Sequence, residues 1–173
     1  EYAGATDAAA MMDSEGRFQQ LLQLLQFPGH SGDVYRHWLV GAQYDINHAS
    51  PARRGRPILL EACQGGRRAA AAVMVAELGA QVNRRSAVDR YTALHYACYY
   101  GHVECVRLLL AHGSDTSLRN THGETALSSA RSAGRKVCAA AIAAHMRQAQ
   151  VQAQVQAQAQ VRPAVLVAGT ASA

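Results

Sequence analysis

Side chains suited to molecular recognition are concentrated in the middle of this 173-residue chain. Half of the arginines lie between positions 53 and 90, and several tyrosines follow closely. Guanidinium groups bind carboxylates and phosphates through paired hydrogen bonds, and tyrosine supplies contact area at little cost in side-chain entropy. The residues that we predict to contact a partner are Arg53, Arg54, Arg56, Arg84, Arg85, Asp89, Arg90, Tyr91, Tyr99, Tyr100 and His122.

The cysteines and histidines do not form a pattern typical of a metal site. The chain has 4 cysteines but no CxxC pair, and His102 with Cys105 forms a single HxxC that lacks the second half of a tetrahedral zinc site. Cys63 and Cys98 occupy equivalent positions on two predicted helices, as do Cys105 and Cys138. We therefore expect buried free thiols and no bound metal.

No motif for catalysis or for a cofactor is found in the sequence. No serine or cysteine has the context of an activated nucleophile, and there is neither a phosphate-binding glycine loop nor an HExxH motif. The glycines are explained as turn residues that recur with a fixed period. We therefore predict a protein that is not an enzyme and that uses no cofactor.

A repeat of about 33 residues organises the chain. The segment Thr125-Ala126-Leu127 follows Thr92-Ala93-Leu94 by 33 residues, and Gly134 follows Gly101 by the same distance. A turn and two short helices occupy this length, and about three such units are needed because one unit cannot bury its own apolar face. The period therefore predicts an all-α stack of helix pairs.

One of these repeats carries a specific motif. Its parts are Thr92-Ala93-Leu94-His95 at a helix start, Ala97, Gly101-His102, an apolar run 106–110, and a closing Gly113. In the order of these parts the chain resembles the ankyrin-repeat family. The resemblance implies an all-α solenoid of about three to four helix-turn-helix units with β-hairpin finger loops. It also implies binding of another protein through the finger tips and the concave face of the first helices.

The motif residues of this repeat have expected structural roles. Thr92 is placed to cap the first helix, and Gly101 and Gly113 suit positions with a positive φ. The resemblance implies that His95 links backbone groups of adjacent repeats. Arg90 stands where the family has a finger glycine, so we expect a strained or reshaped finger there.

The predicted domain boundaries follow the repeats. Residues 1–16 are predicted to form a flexible N-terminal segment, and residues 17–147 an ankyrin-repeat domain. This domain is divided into a divergent N-terminal cap at 17–47, repeats at 53–83 and 87–117, and a C-terminal repeat or cap at 120–147. Residues 148–173 form a tail of glutamine, alanine and valine whose strict alternation has no helical face to bury. We expect its helix to fray and to stop near Arg162-Pro163.

The charge leaves more than one class of partner open. The net charge is +5, but the excess of arginine over the single lysine can also reflect base composition in the gene. Basic fingers beside tyrosines favour an acidic protein surface, and RNA in a ribonucleoprotein is the alternative because phosphates bind the same groups. A third hypothesis is a scaffold or assembly subunit of a larger complex.

The sequence also bears on location. Free buried thiols suit a reducing intracellular compartment, cytoplasmic or organellar. No apolar run approaches the roughly 18 residues that a membrane span needs, so we predict no membrane insertion.

Overall fold

Eight α-helices are found in the part of the chain that the structure, a computed structural model, describes: residues 14–26, 31–41 and 45–167. The helices are α1 (Ser14–Gln26), α2 (Gly32–Gly41), α3 (Ile58–Gln64), α4 (Arg68–Ala76), α5 (Ala93–Tyr100), α6 (Val103–Ala111), α7 (Ala126–Ser132) and α8 (Lys136–Val167). Strands β1 (Ala49–Ser50) and β2 (Arg56–Pro57) pair in antiparallel fashion around a 3-10 helix, Pro51–Arg53. Of the predicted flexible segment 1–16, residues 1–13 lie outside the described residues, and Ser14 begins α1.

In chain order the helices follow one another as four pairs, α1 with α2, α3 with α4, α5 with α6 and α7 with α8, and they stack in two layers. Helices α1, α3, α5 and α7 pack in the first layer, and α2, α4, α6 and α8 pack in the second. From α3 onwards, neighbouring first-layer helices contact one another more extensively than neighbouring second-layer helices do. The arrangement confirms the predicted all-α solenoid of helix pairs.

Local sequence explains where the helices of the third pair begin and end. Thr92 accepts a hydrogen bond from the backbone N of His95 at 3.4 Å, and the His95 ring accepts one from the backbone N of Thr92 at 3.3 Å. These two bonds close a capping box at the start of α5. Gly101 ends α5 at φ 86°, and Gly113 follows α6 at φ 78°. The predicted cap and both glycine turns are therefore confirmed.

Three loops, which we call fingers, precede the first-layer helices α3, α5 and α7. The first finger (residues 49–57) contains β1 and β2, the second spans residues 84–91, and the third spans residues 119–125 and is closed by an isolated β-bridge. Backbone hydrogen bonds join successive fingers, from Ala87 N to Arg54 O at 3.2 Å and from Thr121 N to Asp89 O at 3.1 Å. The fingers therefore lie side by side at the same end of the stack.

Two arginines hold backbone conformations that favour glycine. Arg90 in the second finger has φ 57°, and Arg54 in the first finger has φ 59°. A side chain in this left-handed region costs about 1–2 kcal/mol. The strained finger predicted at Arg90 is therefore found. Arg54 was not predicted, and it is forced into this region because it ends the 3-10 turn at the tip of the hairpin.

The core is one apolar cluster that runs through all four pairs. Every pair contributes at least one almost fully buried side chain: Phe18, Leu59, Leu94, Leu109 and Ile142. Helix α2 adds the buried ring of Tyr35. Burial of such side chains contributes about 1.5–3 kcal/mol each. Because the cluster crosses every pair boundary, each pair is stabilised by contact with its neighbours.

The four cysteines are free and buried, as predicted. Contact with the Cys105 thiol, together with burial, raises the pKa of Cys63. Burial also raises the pKa of Cys98 and of Cys138. These thiols pack as small apolar groups between helices.

Helix α8 is longer than the sequence predicted. It continues to Val167 instead of stopping near Arg162-Pro163, so that prediction is wrong. Side chains of residues 148–159 are exposed, in agreement with the absence of a face to bury. Alanine and glutamine are good helix formers, and the helix continues through Pro163 although this residue removes one backbone donor and crowds the carbonyl one turn earlier. Residues 168–173 of the predicted tail lie outside the described residues.

Candidate functional site

The tip of the first finger presents two exposed arginines. Arg53 Nη1 lies 3.9 Å from Glu61 Oε2, and 45% of the Arg53 side chain is exposed. An ion pair this open contributes about 0–1 kcal/mol. Arg54 forms no ion pair with any residue of the described ranges. Both guanidinium groups are therefore available to a partner.

Arg56 instead points inward from the base of the first finger. Its Nη1 lies 3.5 Å from Glu61 Oε1 and its Nη2 lies 3.7 Å from Asp89 Oδ2, with only 17% of the side chain exposed. It also donates to Gln64 Oε1 at 3.2 Å, and its guanidinium carbon lies 4.9 Å from the centre of the Tyr96 ring. Arg56 thus joins the first finger to the second.

Asp89 is similarly engaged within the protein. Its Oδ1 accepts hydrogen bonds from the Ser86 hydroxyl and from the backbone N of Tyr91, and its Oδ2 accepts from the Tyr96 hydroxyl at 2.9 Å. The hydrogen bond to Asp89 and burial both hold the tyrosine proton in place, and burial is the larger cause of the raised pKa of Tyr96. Asp89 therefore fixes the shape of the second finger.

The remaining arginines of the second finger are not paired with a carboxylate of the described residues, although the charge of Arg85 acts on Asp115 from beyond ion-pair distance. Arg84 donates to Gln81 Oε1 at 3.3 Å, whereas Arg85 is half-buried and Arg90 is exposed. None of the three forms an ion pair within the described part of the chain. Together with the exposed arginines of the first finger, they make one edge of the finger loops basic.

The tyrosines divide into a packed one and an exposed pair. Tyr91 is half-buried, with its ring centre 5.5 Å from that of His95 and 5.2 Å from that of Tyr96. Tyr99 and Tyr100, at the end of α5, are 50% and 43% exposed. Their rings meet edge to face with centres 5.3 Å apart. The sequence grouped three tyrosines on one surface, and the structure leaves two of them exposed as large apolar area.

The exposed pair is held in position by its neighbours. The Tyr100 ring stacks on that of His102, with centres 6.4 Å apart and planes 16° apart. Arg135 Nε donates to the carbonyl of Tyr99 at 3.1 Å. A partner that binds these rings would therefore meet side chains with few conformations left to lose.

His95 makes the link between repeats that the family resemblance implied. Its Nδ1 accepts from the backbone N of Thr92, so Nε2 carries the proton and donates to the carbonyl of Glu124 at 3.1 Å. Burial is the main reason that the pKa of His95 lies below its ordinary value. The neutral imidazole makes a hydrogen bond through each of its nitrogens. It joins the third pair to the third finger and has no free nitrogen for catalysis.

A second set of links between repeats was missed by the sequence analysis. The residue after each helix-turn glycine reaches back to a carbonyl at the end of the preceding first-layer helix. Arg67 Nε donates to Leu25 O at 2.6 Å, and the His102 ring meets Gln64 O at 2.9 Å. Arg135 makes the equivalent contact with Tyr99. The signal was present in the sequence as a polar side chain after Gly66, Gly101 and Gly134.

The last predicted contact residue, His122, is exposed on the third finger, and its backbone N donates to Asn120 Oδ1 at 2.9 Å. Within residues 14–26, 31–41 and 45–167, no group of three or more histidine, cysteine, aspartate or glutamate side chains could hold a metal ion. None of the described helices combines the length and the apolar character required to cross a bilayer.

A family model described as ankyrin repeats (3 copies) matches residues 18–120 and, in a second register, residues 59–155. Among curated proteins, ankyrin repeat domain-containing protein 49 of Bos taurus is 35% identical over 72 residues, which are 42% of this chain and 30% of the relative. A protein of Arabidopsis thaliana named as an E3 ubiquitin-protein ligase, XBAT31, is 42% identical over 55 residues, or 32% of this chain and 12% of the relative.

Alpha-latrotoxin-Lt1a of Latrodectus tredecimguttatus is 45% identical over 40 residues, which are 23% of this chain and 3% of the toxin. The matched regions cover less than a third of each of these relatives.

Proposed function

The chain belongs to the ankyrin-repeat family, and we propose that it is a non-catalytic module that binds an acidic surface of another protein. Ankyrin repeats are a general module for protein–protein interaction. The contact surface in this proposal consists of the finger arginines and the exposed tyrosine pair. We place the protein in an intracellular compartment because its thiols are free and buried.

One observation carries this proposal: finger arginines that form no ion pair in the described ranges precede the first-layer helices, and two exposed tyrosines end one of these helices, α5. Arg54, Arg84, Arg85 and Arg90 form no ion pair in the described ranges, and a partner carboxylate would supply the missing charge. Tyrosine and arginine are the residue types enriched where interfaces gain most of their free energy. Complementary charge would also accelerate association and select against basic partners.

The predicted site residues take two roles in this proposal. Arg53, Arg54, Arg84, Arg85, Arg90, Tyr99, Tyr100 and His122 are contact residues. Arg56, Asp89 and Tyr91 are positioning residues, because their polar groups or rings are already engaged inside the protein. Substitution of the second group would therefore change binding only through the shape of the fingers.

RNA is the competing partner, since phosphates attract the same guanidinium groups and bases stack on tyrosine. The two partners differ in their response to salt. Affinity for nucleic acid falls steeply and linearly with the logarithm of salt concentration, because counterions are released from the phosphates. Binding centred on the tyrosine pair would depend less on salt.

The proposal is tested by capture from native lysate with and without nuclease, read by mass spectrometry. The contact variant carries Arg53→Ala, Arg54→Ala, Tyr99→Ala and Tyr100→Ala and leaves Arg56 intact. Two matched controls separate the effect of charge from that of position. Both remove two positive charges, one with Arg53→Ala/Arg54→Ala and the other with Arg107→Ala/Arg147→Ala. Arg107 and Arg147 are exposed on the second-layer helices. All variants must first show the thermal unfolding of the wild type.

The expected result is a set of proteins retained by the wild type and by the second-layer control, lost from the contact variant, and insensitive to nuclease. The Arg53→Ala/Arg54→Ala variant should retain less than the wild type. Loss of the captured proteins on nuclease treatment would favour RNA instead. Equal recovery by the wild type and the contact variant would exclude this surface as the site.

A further inference from the structure

Three arginines line one shallow groove between the second and third fingers. The groove has a volume of about 600 Å³ and is bordered by Arg85, Arg90 and Arg119, with Ser117 and Thr121 between them. Arg119 was not among the contact residues predicted from the sequence. It is positioned by a hydrogen bond of 2.6 Å from its Nη1 to the carbonyl of Gly123. The N–H groups on Nε and Nη2 take no part in this bond.

The positive charge of the groove is only partly offset by the protein. None of the three arginines forms an ion pair with a carboxylate of the described residues. Hydrogen bonds from Ser117 and, to a smaller extent, the charge of Arg85 lower the pKa of Asp115, so this carboxylate offsets part of the Arg85 charge from beyond ion-pair distance. Three like charges that share one groove raise the energy of the free protein and favour an anionic occupant.

We infer that this arginine groove, lined by Arg85, Arg90 and Arg119, is a subsite for a phosphorylated serine or threonine side chain of a partner protein. A phosphoryl group carries close to two negative charges near pH 7 and three acceptor oxygens. Three guanidinium forks supply donors in matching number. A single carboxylate would neutralise only one of the three charges and offers two oxygens.

The composition of the groove argues against a nucleic acid in this place. Its lining consists of arginine, serine, leucine, asparagine, threonine and glycine, without an aromatic ring on which a base could stack. The exposed tyrosine pair lies at the far end of α5, whereas the groove lies between fingers that precede α5 and α7. An isolated pocket of three arginines fits one phosphoryl group better than a continuous strand.

This inference rests on the proposed function, because it assumes that the partner is a protein, and it adds a form of regulation. A kinase acting on the partner would create a charge that the groove binds, and a phosphatase would remove it. Binding would then respond to phosphorylation of the partner although the finger arginines and the tyrosine pair stay unchanged.

The test uses the full ¹⁵N-labelled chain and three short peptides of the same sequence, with phosphoserine, serine or glutamate at the centre and glycine on both sides. Inorganic phosphate and a single-stranded RNA oligonucleotide serve as two further probes. The arginine Nε–H signals of Arg85, Arg90 and Arg119 are followed by NMR, and dissociation constants are taken from the shifts. Each probe is titrated at the same ionic strength.

The expected result is that the phosphoserine peptide shifts these three signals and binds at least about tenfold more tightly than the glutamate peptide, because the phosphoryl group offers a second negative charge and a third acceptor oxygen. Inorganic phosphate should move the same signals. Arg85→Gln and Arg119→Gln should each weaken the phosphoserine peptide about tenfold or more, and Arg107→Gln should leave it unchanged. The Arg85→Gln variant is included because Arg119 also supports the third finger, so the Arg119→Gln variant alone could weaken binding by changing the fold.

Several outcomes would overturn the inference. Equal affinity for the phosphoserine and glutamate peptides would assign the groove to carboxylates, and tighter binding of the oligonucleotide through these three signals would assign it to nucleic acid. Unmoved arginine signals would exclude an anion site. If the peptide binds but lysate capture is nuclease-sensitive, the proposed protein partner fails and the phosphoryl site stands; if capture behaves as proposed and the peptide does not bind, only the groove inference fails.

Discussion

Replacement of Arg56 by alanine should destabilise the stack, whereas the same change at Arg53 should not. The two arginines are neighbours in one finger and were predicted together as contact residues. Arg56 is 17% exposed and faces both Glu61 and Asp89, while Arg53 is 45% exposed and approaches only Glu61. The comparison therefore separates a positioning role from a contact role in side chains of the same type.

The magnitude follows from what Arg56→Ala leaves behind. The Glu61 side chain is 8% exposed, and its Oε1 is buried without a hydrogen bond in the described structure. Loss of one partner of a fully buried pair costs about 3–5 kcal/mol. Because Arg56 and Asp89 are each nearly a fifth exposed, we reduce this to about 2–4 kcal/mol, which includes the lost cation–π contact with Tyr96. Arg53→Ala should cost at most about 0.5 kcal/mol.

The free energy of unfolding is measured by urea denaturation of the wild type, both single variants and the pair Arg56→Ala/Glu61→Gln. The paired variant removes the stranded charge, so it should recover part of the loss and reveal a coupling energy of about 1 kcal/mol or more. Equal stability of the Arg53→Ala and Arg56→Ala variants would refute the inward role of Arg56. Strict additivity in the paired variant would refute its ion pair with Glu61.

Three further predictions concern single residues. Gly66→Ala should cost clearly more stability than Gly79→Ala in thermal unfolding, because both have positive φ but a Cβ at Gly66 would lie 2.5 Å from the His102 ring and one at Gly79 would meet nothing within 4 Å. Because burial lowers the folded-state pKa of His95, the unfolded chain binds the proton more readily; stability should therefore fall as pH drops below about 6.5, and His95→Gln should lose less between pH 7.5 and 5.5. Arg90→Gly should stabilise the fold by about 1 kcal/mol in urea, since it relieves a positive φ of 57°, and an unchanged or lower midpoint would contradict the strain.

Local rules explain what the sequence could predict. Thr92 and Gly101 satisfy requirements of the chain within a few residues of themselves, a helix cap and a left-handed turn, so their types alone indicate their roles. The link made by His95 reaches the next repeat, but it repeats with the family motif and could be inferred from the resemblance. The fold and its period could therefore be predicted from the sequence, and the family match to residues 18–120 and 59–155 agrees with them.

Side-chain direction across repeats could not be predicted. Arg54 and Arg56 are two residues apart, yet one faces solvent and the other binds Asp89, which lies 33 positions further along the chain than Arg56. Only the stacking of the second finger beside the first decides this. Arg119 was missed for the same reason, because it joins the groove through a neighbouring finger and not through an arginine cluster in its own sequence.

Site-specific photocrosslinking tests whether the exposed tyrosine pair lies in a protein–protein contact. A photoreactive phenylalanine replaces Tyr99, and in a matched control it replaces Val137 of α8, which is 61% exposed. Both proteins are irradiated in nuclease-treated native lysate, and adducts are identified by mass spectrometry. The proposed contact predicts protein adducts at position 99 that decrease with Arg53→Ala/Arg54→Ala and are absent at position 137. Adducts of equal yield at both positions, or only at position 137, would contradict it.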